Sequence, residues 1–374
     1  MTGSHRKARW GVPPWTIDFH PAPRDLPEEV DFAVVGGGFT GLAAAAWLQR
    51  LEPQKSVALL EADSLGAGSS GRTGGVALAE TAAGDLPGLG DVLSGFSGTL
   101  RELAVGCDLA LTGAWELTRN KGLADSPISW TDWGELRVEQ EVPGGTIDPG
   151  KLVSGLAGAA DRLGALIFEH ARVEKIVFEE LLRLYVSGKP LRARHVLLAT
   201  NAQSLELSEL ADRGAQPKFT LAVATEPLTA AQLAALGLES RKPFYTIDLP
   251  YLWGRLLPTN GVVFGSGLVH MTDWRELVAL DIAARQPAGL IARLERRVRR
   301  LHPTLHSVQF THQWGGPILI AEDWRPVFRQ HPRSSRAFVL GAYSGHGVAL
   351  SVYLGCWAAE AMLGRKTLPA WDKA

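Results

Sequence analysis

The sequence predicts an α/β chain organised around a Rossmann-like dinucleotide-binding unit, and three features carry that prediction. The first is the run Asp31-Phe-Ala-Val-Val-Gly36-Gly-Gly38-Phe-Thr-Gly41-Leu-Ala-Ala-Ala-Ala, closed by Ser56-Val-Ala-Leu-Leu-Glu61. It reads as strand, glycine turn, alanine-rich helix, second strand, and an acid at that strand's end. The second is Ala193-Arg-His-Val-Leu-Leu-Ala-Thr200-Asn201-Ala, an apolar strand ending in small polar residues and placed to complete the sheet. The third is Ala337-Phe-Val-Leu-Gly341, whose following loop, Ala342-Tyr-Ser-Gly345-His346-Gly347, opens a helix. At 374 residues the chain exceeds what one compact core usually holds, so a second domain is expected.

Each part of the first unit has a physical job. Gly36 permits the tight turn, Gly38 lets backbone approach a pyrophosphate, and Gly41 lets helix and strand pack closely, with the helix N-terminus facing the anion. Glu61 lies 20 positions after Gly41, where a carboxylate meets ribose hydroxyls. The acid favours an unphosphorylated ribose, hence FAD or NAD over NADP. Composition agrees with an ordinary globular enzyme: 46% apolar, 21% charged. A formal net charge of −1 gives no global field for nucleic acid or anionic lipid. Cys107 and Cys356 have neither disulfide nor metal spacing, so no metal is expected and both read as buried thiols of a cytoplasmic protein. The basic N-terminus lacks the apolar run of a signal peptide, and the glycine-turn helix is too short to span a membrane.

Along the chain, residues 1–29 read as an irregular arm that Trp10 and Trp15 pin to the body, the first ten residues reading almost equally as a disordered tail. Residues 66–75 are a small-residue loop with one arginine, Arg72. Residues 99–120 read as a helix from the spacing of Leu100, Leu103, Ala104, Leu111, Trp115 and Leu117. Residues 130–139 read as a strand pair or strand edge. Asp148-Pro149 caps and starts a helix to about Leu163. Strands follow at 165–168, 172–178, 182–186 and 196–200, then at 219–225 and 262–265. Residues 275–301 read as one long helix whose arginines form a solvated face. A last helix covers 348–362.

Three features favour FAD over NAD. There is a single dinucleotide fingerprint near the N-terminus, the 193–202 strand completes its sheet, and the Gly345-His346-Gly347 loop opens a helix. A helix N-terminus aimed at a flavin's N1–O2 edge stabilises the anion formed on reduction.

The ordered set Val35-Gly-Gly-Gly-Phe-Thr-Gly41-Leu, Gly66-Ala-Gly-Ser-Ser-Gly-Arg72-Thr-Gly-Gly75, Ile147-Asp148-Pro149, Ala199-Thr-Asn-Ala202, Trp314-Gly-Gly-Pro with Asp323 and Pro326, and Tyr343-Ser-Gly-His-Gly347 resembles the D-amino-acid oxidase superfamily of FAD oxidoreductases over about residues 30–364. The branch of γ-glutamylputrescine oxidoreductase-like amine oxidases is the closest-looking. The resemblance implies a glutathione-reductase-type FAD domain and an α+β substrate domain built on a mixed sheet. It divides the chain into the arm 1–29, FAD-binding parts at 30–98, 148–214 and 323–374, and substrate parts at 99–147 and 215–322. It implies cofactor contacts from Gly36, Gly38, Phe39, Thr40, Gly41, Glu61, Ala62, Ser69, Ser70, Arg72, Thr73, Gly74, Gly75 and Val173. To these it adds Thr200, Asn201, Gly341, Tyr343, Gly345, His346, Gly347 and Val348. Val173 would meet adenine through its backbone. The candidates for the reaction pocket are Tyr251, Trp253, His270, Trp314 and His346. Tyr251 and Trp253 would alternate along a strand facing the flavin. His270 reads more readily as a surface histidine, and His346 as a flavin contact rather than a proton shuttle.

The sequence also departs from that pattern. Amino-acid-oxidising relatives hold the substrate carboxylate with an arginine just after the Trp-Gly pair, where this chain reads Gly316-Pro317-Ile318-Leu319. An amine, or an amino-acid-like substrate whose carboxylate lies elsewhere, is therefore expected, with Arg255 a substitute anchor or a surface or strand-end residue. There is no lysine in Val262–Gly265 where oxygen-activating relatives place one, and no cysteine near Trp314 for a covalent link. FAD is thus expected to bind non-covalently, with oxygen or another electron acceptor. The segment Arg137–Ile147 and the 176–195 hairpin are short, which suggests an open site, a bulky substrate or a completing partner subunit; a homo-oligomer also stays open. The expected reaction is oxidation of a C–N bond by hydride transfer to flavin N5. The alternatives are the flavin-bearing subunit of a heteromeric dehydrogenase and an FAD-dependent hydroxylase.

Overall fold

The computed structural model describes residues 9–209 and 214–372. The first eight residues, residues 210–213 and the last two lie outside it, and with them the tail half of the arm reading. The strands in chain order are β1 Glu29–Val35, β2 Val57–Leu60, β3 Val76–Leu78, β4 Ala114–Arg119, β5 Ser129–Thr131, β6 Glu135–Val142, β7 Gly144–Thr146, β8 Leu166–Phe168 and β9 Val173–Val177. They continue with β10 Leu182–Val186, β11 Lys189–Leu198, β12 Gln216–Thr225, β13 Phe244–Thr246, β14 Trp253–Leu256, β15 Val262–His270, β16 Phe310–Ile320, β17 Val327–His331 and β18 Ser334–Gly341. The longer helices are α1 Phe39–Leu51, α2 Val92–Glu102, α3 Pro149–Leu163, α4 Arg285–Leu301 and α5 Gly347–Met362.

Two eight-stranded sheets organise these elements. The first runs β17-β18-β11-β1-β2-β8, with the β9–β10 ribbon joined to β11. Its centre, β18-β11-β1-β2-β8, is parallel. Parallel strands need cover on both faces, and β1 shows how the sequence supplies it. Phe32 and Val34 enter the cluster that holds α1, α2, α3 and α5, whereas Ala33 and Val35 enter the one that holds Ile176, Leu182 and Leu184 of the ribbon. Ala43–Ala46 of α1 are fully buried, and α1 packs on α3 and α5. Asp148 caps α3 by accepting the Lys151 N–H at 2.9 Å, as the sequence suggests. This α/β architecture is the predicted fold class.

The second sheet runs β16-β12-β15-β14-β13-β4-β6-β5 and is mixed, because β4 and β13 pair in parallel within an otherwise antiparallel sheet. Two helix predictions fail here. The 99–120 helix stops at Glu102, and Trp115 and Leu117 lie on β4. Ala104 and Asp108 have left-handed backbone (φ 53° and 52°), which ends α2, and β4 is held between β13 and β6. A strand buried along both faces mimics a helix's apolar spacing. The 275–301 helix is interrupted between Ala279 and Arg285: Leu280 is extended, and Pro287 occupies the first turn of α4. Residues 130–139 do form a strand pair, β5–β6.

The arm is pinned as expected. Trp10 and Trp15 are buried. Gly315 donates to the Trp10 carbonyl at 2.9 Å, and Trp15 Nε1 donates to the Gly71 carbonyl at 2.8 Å. The arm thereby joins β16 of the second sheet to the Gly66–Gly75 loop beside the first. Cys107 and Cys356 are buried free thiols. No helix among the described residues is long and apolar enough to cross a membrane.

Candidate active site

A cavity of about 910 Å³ lies between the carboxyl ends of β1, β2, β11 and β18 and one face of the second sheet. That is near the top of the range for ligand sites, about 300–1,000 Å³. The glycine turn forms one end. Gly36 has φ +114°, and a Cβ on Gly41 would stand 1.9 Å from the Gly36 carbonyl, so neither position admits a side chain. Glu61 Oε2 accepts the Gly37 N–H at 2.7 Å and Oε1 the Asp63 N–H at 2.8 Å, which fixes the carboxylate at the turn. Burial pushes the Glu61 pKa up, against those two N–H donors. Helix α1 begins at Gly38 without a side-chain cap.

The middle of the cavity is a cradle tied together by side chains. Asn201 Nδ2 donates to Ser69 Oγ at 3.2 Å, and its Oδ1 accepts the Ala342 N–H at 3.0 Å. Ser69 Oγ donates to the Pro317 carbonyl at 2.6 Å, and Ser70 Oγ accepts the Phe39 N–H at 3.0 Å. Thr40 and Tyr343 share a hydroxyl hydrogen bond of 2.7 Å. Arg72 lines the cavity, but its guanidinium turns to the carbonyls of Trp10, Gly11 and Gly315, at 3.2, 2.9 and 3.3 Å. Burial lowers its pKa to about 10. At the far end His346 stands at the N-cap position of α5 without a side-chain capping bond, and burial pushes its pKa below the ordinary histidine value, favouring the neutral ring.

The second sheet contributes one cross-strand row. By register, Gln140, Glu116, Tyr245, Trp253, Gly265, Ala222 and Trp314 stand side by side on β6, β4, β13, β14, β15, β12 and β16. Trp253 lies flat against Gly74 and Gly265: a Cβ there would meet its ring at 2.1 and 1.9 Å. Trp314 is fully buried and donates to the Arg72 carbonyl at 3.0 Å. At the other end Tyr245 hydrogen-bonds Glu116 at 2.7 Å and Glu80 at 3.2 Å, and Gln140 donates to Glu116 at 2.6 Å. Burial, with help from Glu116 and Asp85, pushes the Glu80 pKa up against the Tyr245 hydrogen bond. Burial likewise raises Tyr245.

Of the residues expected to touch cofactor or substrate, Gly41, Gly75 and Gly341 lie off the cavity wall, and all the others are on it. Tyr251 is on the wall but in the loop before β14, 47% exposed, so it does not alternate with Trp253 along a strand. His270 is on the wall at the exposed end of β15. Arg255 corrects an expectation: it is buried, donates through Nε to the Gly74 carbonyl, and stacks on Trp15 at 5.5 Å, away from the cavity. It does not serve as a carboxylate anchor. Glu80, Glu116 and Tyr245 were missed. Glu116 was hidden inside the mistaken helix, and only the strand register exposes it.

An FAD molecule fits this wall. Thr200 Oγ1 is buried there without a protein hydrogen-bond partner, and a Cβ on Gly345 would meet nothing within 4 Å. The α1 N-terminus, where the cap residue Gly38 carries no side chain, stands beside the Glu61 carboxylate and offers the donor and acceptor set of a pyrophosphate and ribose site. No cysteine lines the cavity. The FAD-dependent oxidoreductase family profile matches residues 31–361. The chain belongs to this family. Two curated relatives of the family member are each 26% identical to it. The probable oxidoreductase OrdL of Haemophilus influenzae aligns over 93% of this chain and 86% of its own. The γ-glutamylputrescine oxidoreductase of Escherichia coli aligns over 89% and 84%. Among solved structures, glycine oxidase from Geobacillus kaustophilus superposes with a TM-score of 0.72 at 19% identity, covering 91% of this chain and 96% of that one. The chain is an FAD-dependent oxidoreductase enzyme.

Proposed function

We propose that this oxidoreductase oxidises the C–N bond of an amine, with cationic amines preferred over free amino acids. The observation that carries the reading is the charge of the cavity wall on the second sheet. Glu80 and Glu116 line it and share the Tyr245 hydroxyl, and neither is ion-paired with a cation among the described residues. Arg72 and Arg255 are engaged elsewhere, Arg72 with the arm and β16 and Arg255 with Gly74, and the other arginine of the cavity wall, Arg172, stands beside Val173 and not on the second sheet. An anionic wall attracts an ammonium and repels a carboxylate.

FAD, when bound, supplies a two-electron acceptor at N5 that takes a hydride from the carbon beside nitrogen, leaving an imine that water hydrolyses. The chain's residues supply position and dryness. Glu61 and the glycine turn would hold the ribose and pyrophosphate of the cofactor. The Ser69–Gly74 loop, Thr200 and Asn201 would flank it, and Tyr343–Val348, with neutral His346 at the start of α5, would contact its flavin ring. Trp253 and Trp314 wall the reacting region and exclude water, and desolvation there favours the neutral amine that can lose hydride. His270, exposed at a strand end, has no fixed partner among the described residues and is assigned no proton transfer. In this reading 30–98, 148–214 and 323–374 form the FAD-binding body, and 99–147 with 215–322 the substrate domain, although α2 straddles the first boundary. Family relatives named for an amine substrate and for glycine support a C–N substrate.

The test is to record the flavin spectrum without oxygen while adding polyamines, N-methyl amines and D- and L-amino acids in turn. Bleaching by amines is expected. Bleaching by NAD(P)H and by no amine would overturn the reading in favour of a hydroxylase.

A further inference from the structure

The loop Ile247–Leu252, between β13 and β14, lines the cavity mouth and leaves large apolar side chains in solvent. Ile247 is 45% exposed, Leu249 73% and Tyr251 47%; Trp324, which lines the same cavity, is 43% exposed. An exposed loop of this kind normally folds its apolar groups inward. Here a buried ion cluster on its other side prevents that. Asp132 is held by two arginines: Arg119 donates to its Oδ2 at 2.7 Å, and Arg297 donates to Oδ1 at 2.9 Å and Oδ2 at 2.7 Å. The side chains of all three are at least nine-tenths buried. The same two guanidiniums grip the loop backbone. Both donate to the Pro250 carbonyl at 2.8 Å, Arg297 donates to the Tyr251 carbonyl at 2.8 Å, and Arg119 pairs with Asp248. Ser266 adds a bond to the Tyr251 carbonyl at 2.5 Å and accepts from Arg297 at 2.7 Å.

Arg297 sits on α4, whose arginines the sequence assigned to a solvated face; this one is turned inward and covered by the Trp133 ring at 5.0 Å. Desolvating three charges to fix the contacts to Asp248, Pro250 and Tyr251 costs more than a plain surface loop needs.

We propose that the Asp132–Arg119–Arg297 cluster is a positioning device that holds Ile247, Leu249 and Tyr251 as an apolar collar on the cavity that Trp324 also lines, and that the collar selects amines carrying an extended apolar portion. The inference rests on the reading that this cavity takes the amine. The occupant follows from continuity: the collar residues line the same cavity as Trp253 and Gly74, so a molecule reacting there extends its remote end between them. Compact amines leave the collar wet and gain nothing from it.

The experiment measures kcat/KM of the holoenzyme for straight-chain primary amines of increasing length and for hydroxyl-ended amines of the same length. In the wild type, kcat/KM climbs about fourfold per added methylene once the chain reaches the collar, and the hydroxyl-ended series lags behind. Leu249→Ser, at a 73% exposed position, flattens the climb, so that kcat/KM for the long amines falls relative to that for the shortest. Asp132→Asn does the same and speeds amide hydrogen exchange in residues 247–252; if that variant is unstable, Ser266→Ala, which removes one grip on Tyr251, is read instead. A length dependence unchanged by Leu249→Ser overturns the collar. Unchanged exchange in 247–252 overturns the positioning role. Failure of every amine to bleach the flavin is a different result, and it overturns the amine reading itself.

Discussion

Neutralising Glu116 should weaken cationic substrates selectively. Glu116 is 8% exposed, and both its oxygens are hydrogen-bonded, to Tyr245 and Gln140. In Glu116→Gln the new amide still accepts from Tyr245, and Gln140, exposed on β6, can rotate its own amide to match. Packing is therefore kept and only the charge is lost. Glu116 stands two strands from Trp253 in the cross-sheet row, a separation of about 10 Å at about 4.8 Å per strand. An ammonium beside Trp253, with the Glu116 side chain reaching toward it, lies about 8 Å from the carboxylate. At an effective dielectric of about 20 the attraction is about 332/(20 × 8), or about 2 kcal/mol, which is about thirtyfold in affinity. Water in the open cavity reduces this, so a rise in KM of about tenfold to thirtyfold for amines is expected. Values for free amino acids should stay level or improve, since their carboxylate is no longer repelled. The assay is steady-state turnover with paired amine and amino-acid substrates, with flavin content checked for each preparation. An equal loss for both substrate types would refute the electrostatic reasoning, because it would mean that the substitution merely damaged the fold.

Other expectations follow from the same geometry. The Glu80 pKa is raised by burial, so its charge is lost on descending through a pH above the usual carboxylate range. KM for cationic amines should rise on that acid limb, and Glu80→Gln should remove it. Because a raised carboxylate pKa stabilises the fold only while the group is protonated, the same variant should gain stability relative to wild type above that pH, which thermal melts across pH will read. Gly41→Ala would put a methyl 1.9 Å from the Gly36 carbonyl, and purified protein should carry little or no FAD by absorbance. Burial pushes both cysteine thiols up to about 12, so neither should react with a thiol reagent before denaturation and both should react after it.

The first sheet was legible because its signals are local. The glycine turn, the acid after β2, the Asp148-Pro149 cap and the terminal loop before α5 each depend on neighbours within a few residues. The second sheet was legible only in part: the strands at 130–139, 219–225 and 262–265 were read, but β4 was not. Nearly every β4 residue is buried, so Trp115 and Leu117 imitate a helix, and the row reaches Glu116 only through its pairing with Tyr245, 129 residues away in the chain. Arg255 and Arg297 show the same limit. A sequence gives an arginine's position, but whether it anchors a ligand, supports a carbonyl or faces solvent is decided by which strand or loop folds over it.

The central claim is that the carbon beside an amine nitrogen gives up its hydrogen in this cavity. Rapid-mixing measurement of flavin bleaching without oxygen, using one reactive amine and its counterpart deuterated at that carbon, tests it most directly. The account predicts bleaching by both, with the deuterated amine several-fold slower. Bleaching at equal rates would place the slow step elsewhere, and no bleaching by any amine alongside rapid bleaching by NAD(P)H would contradict the account.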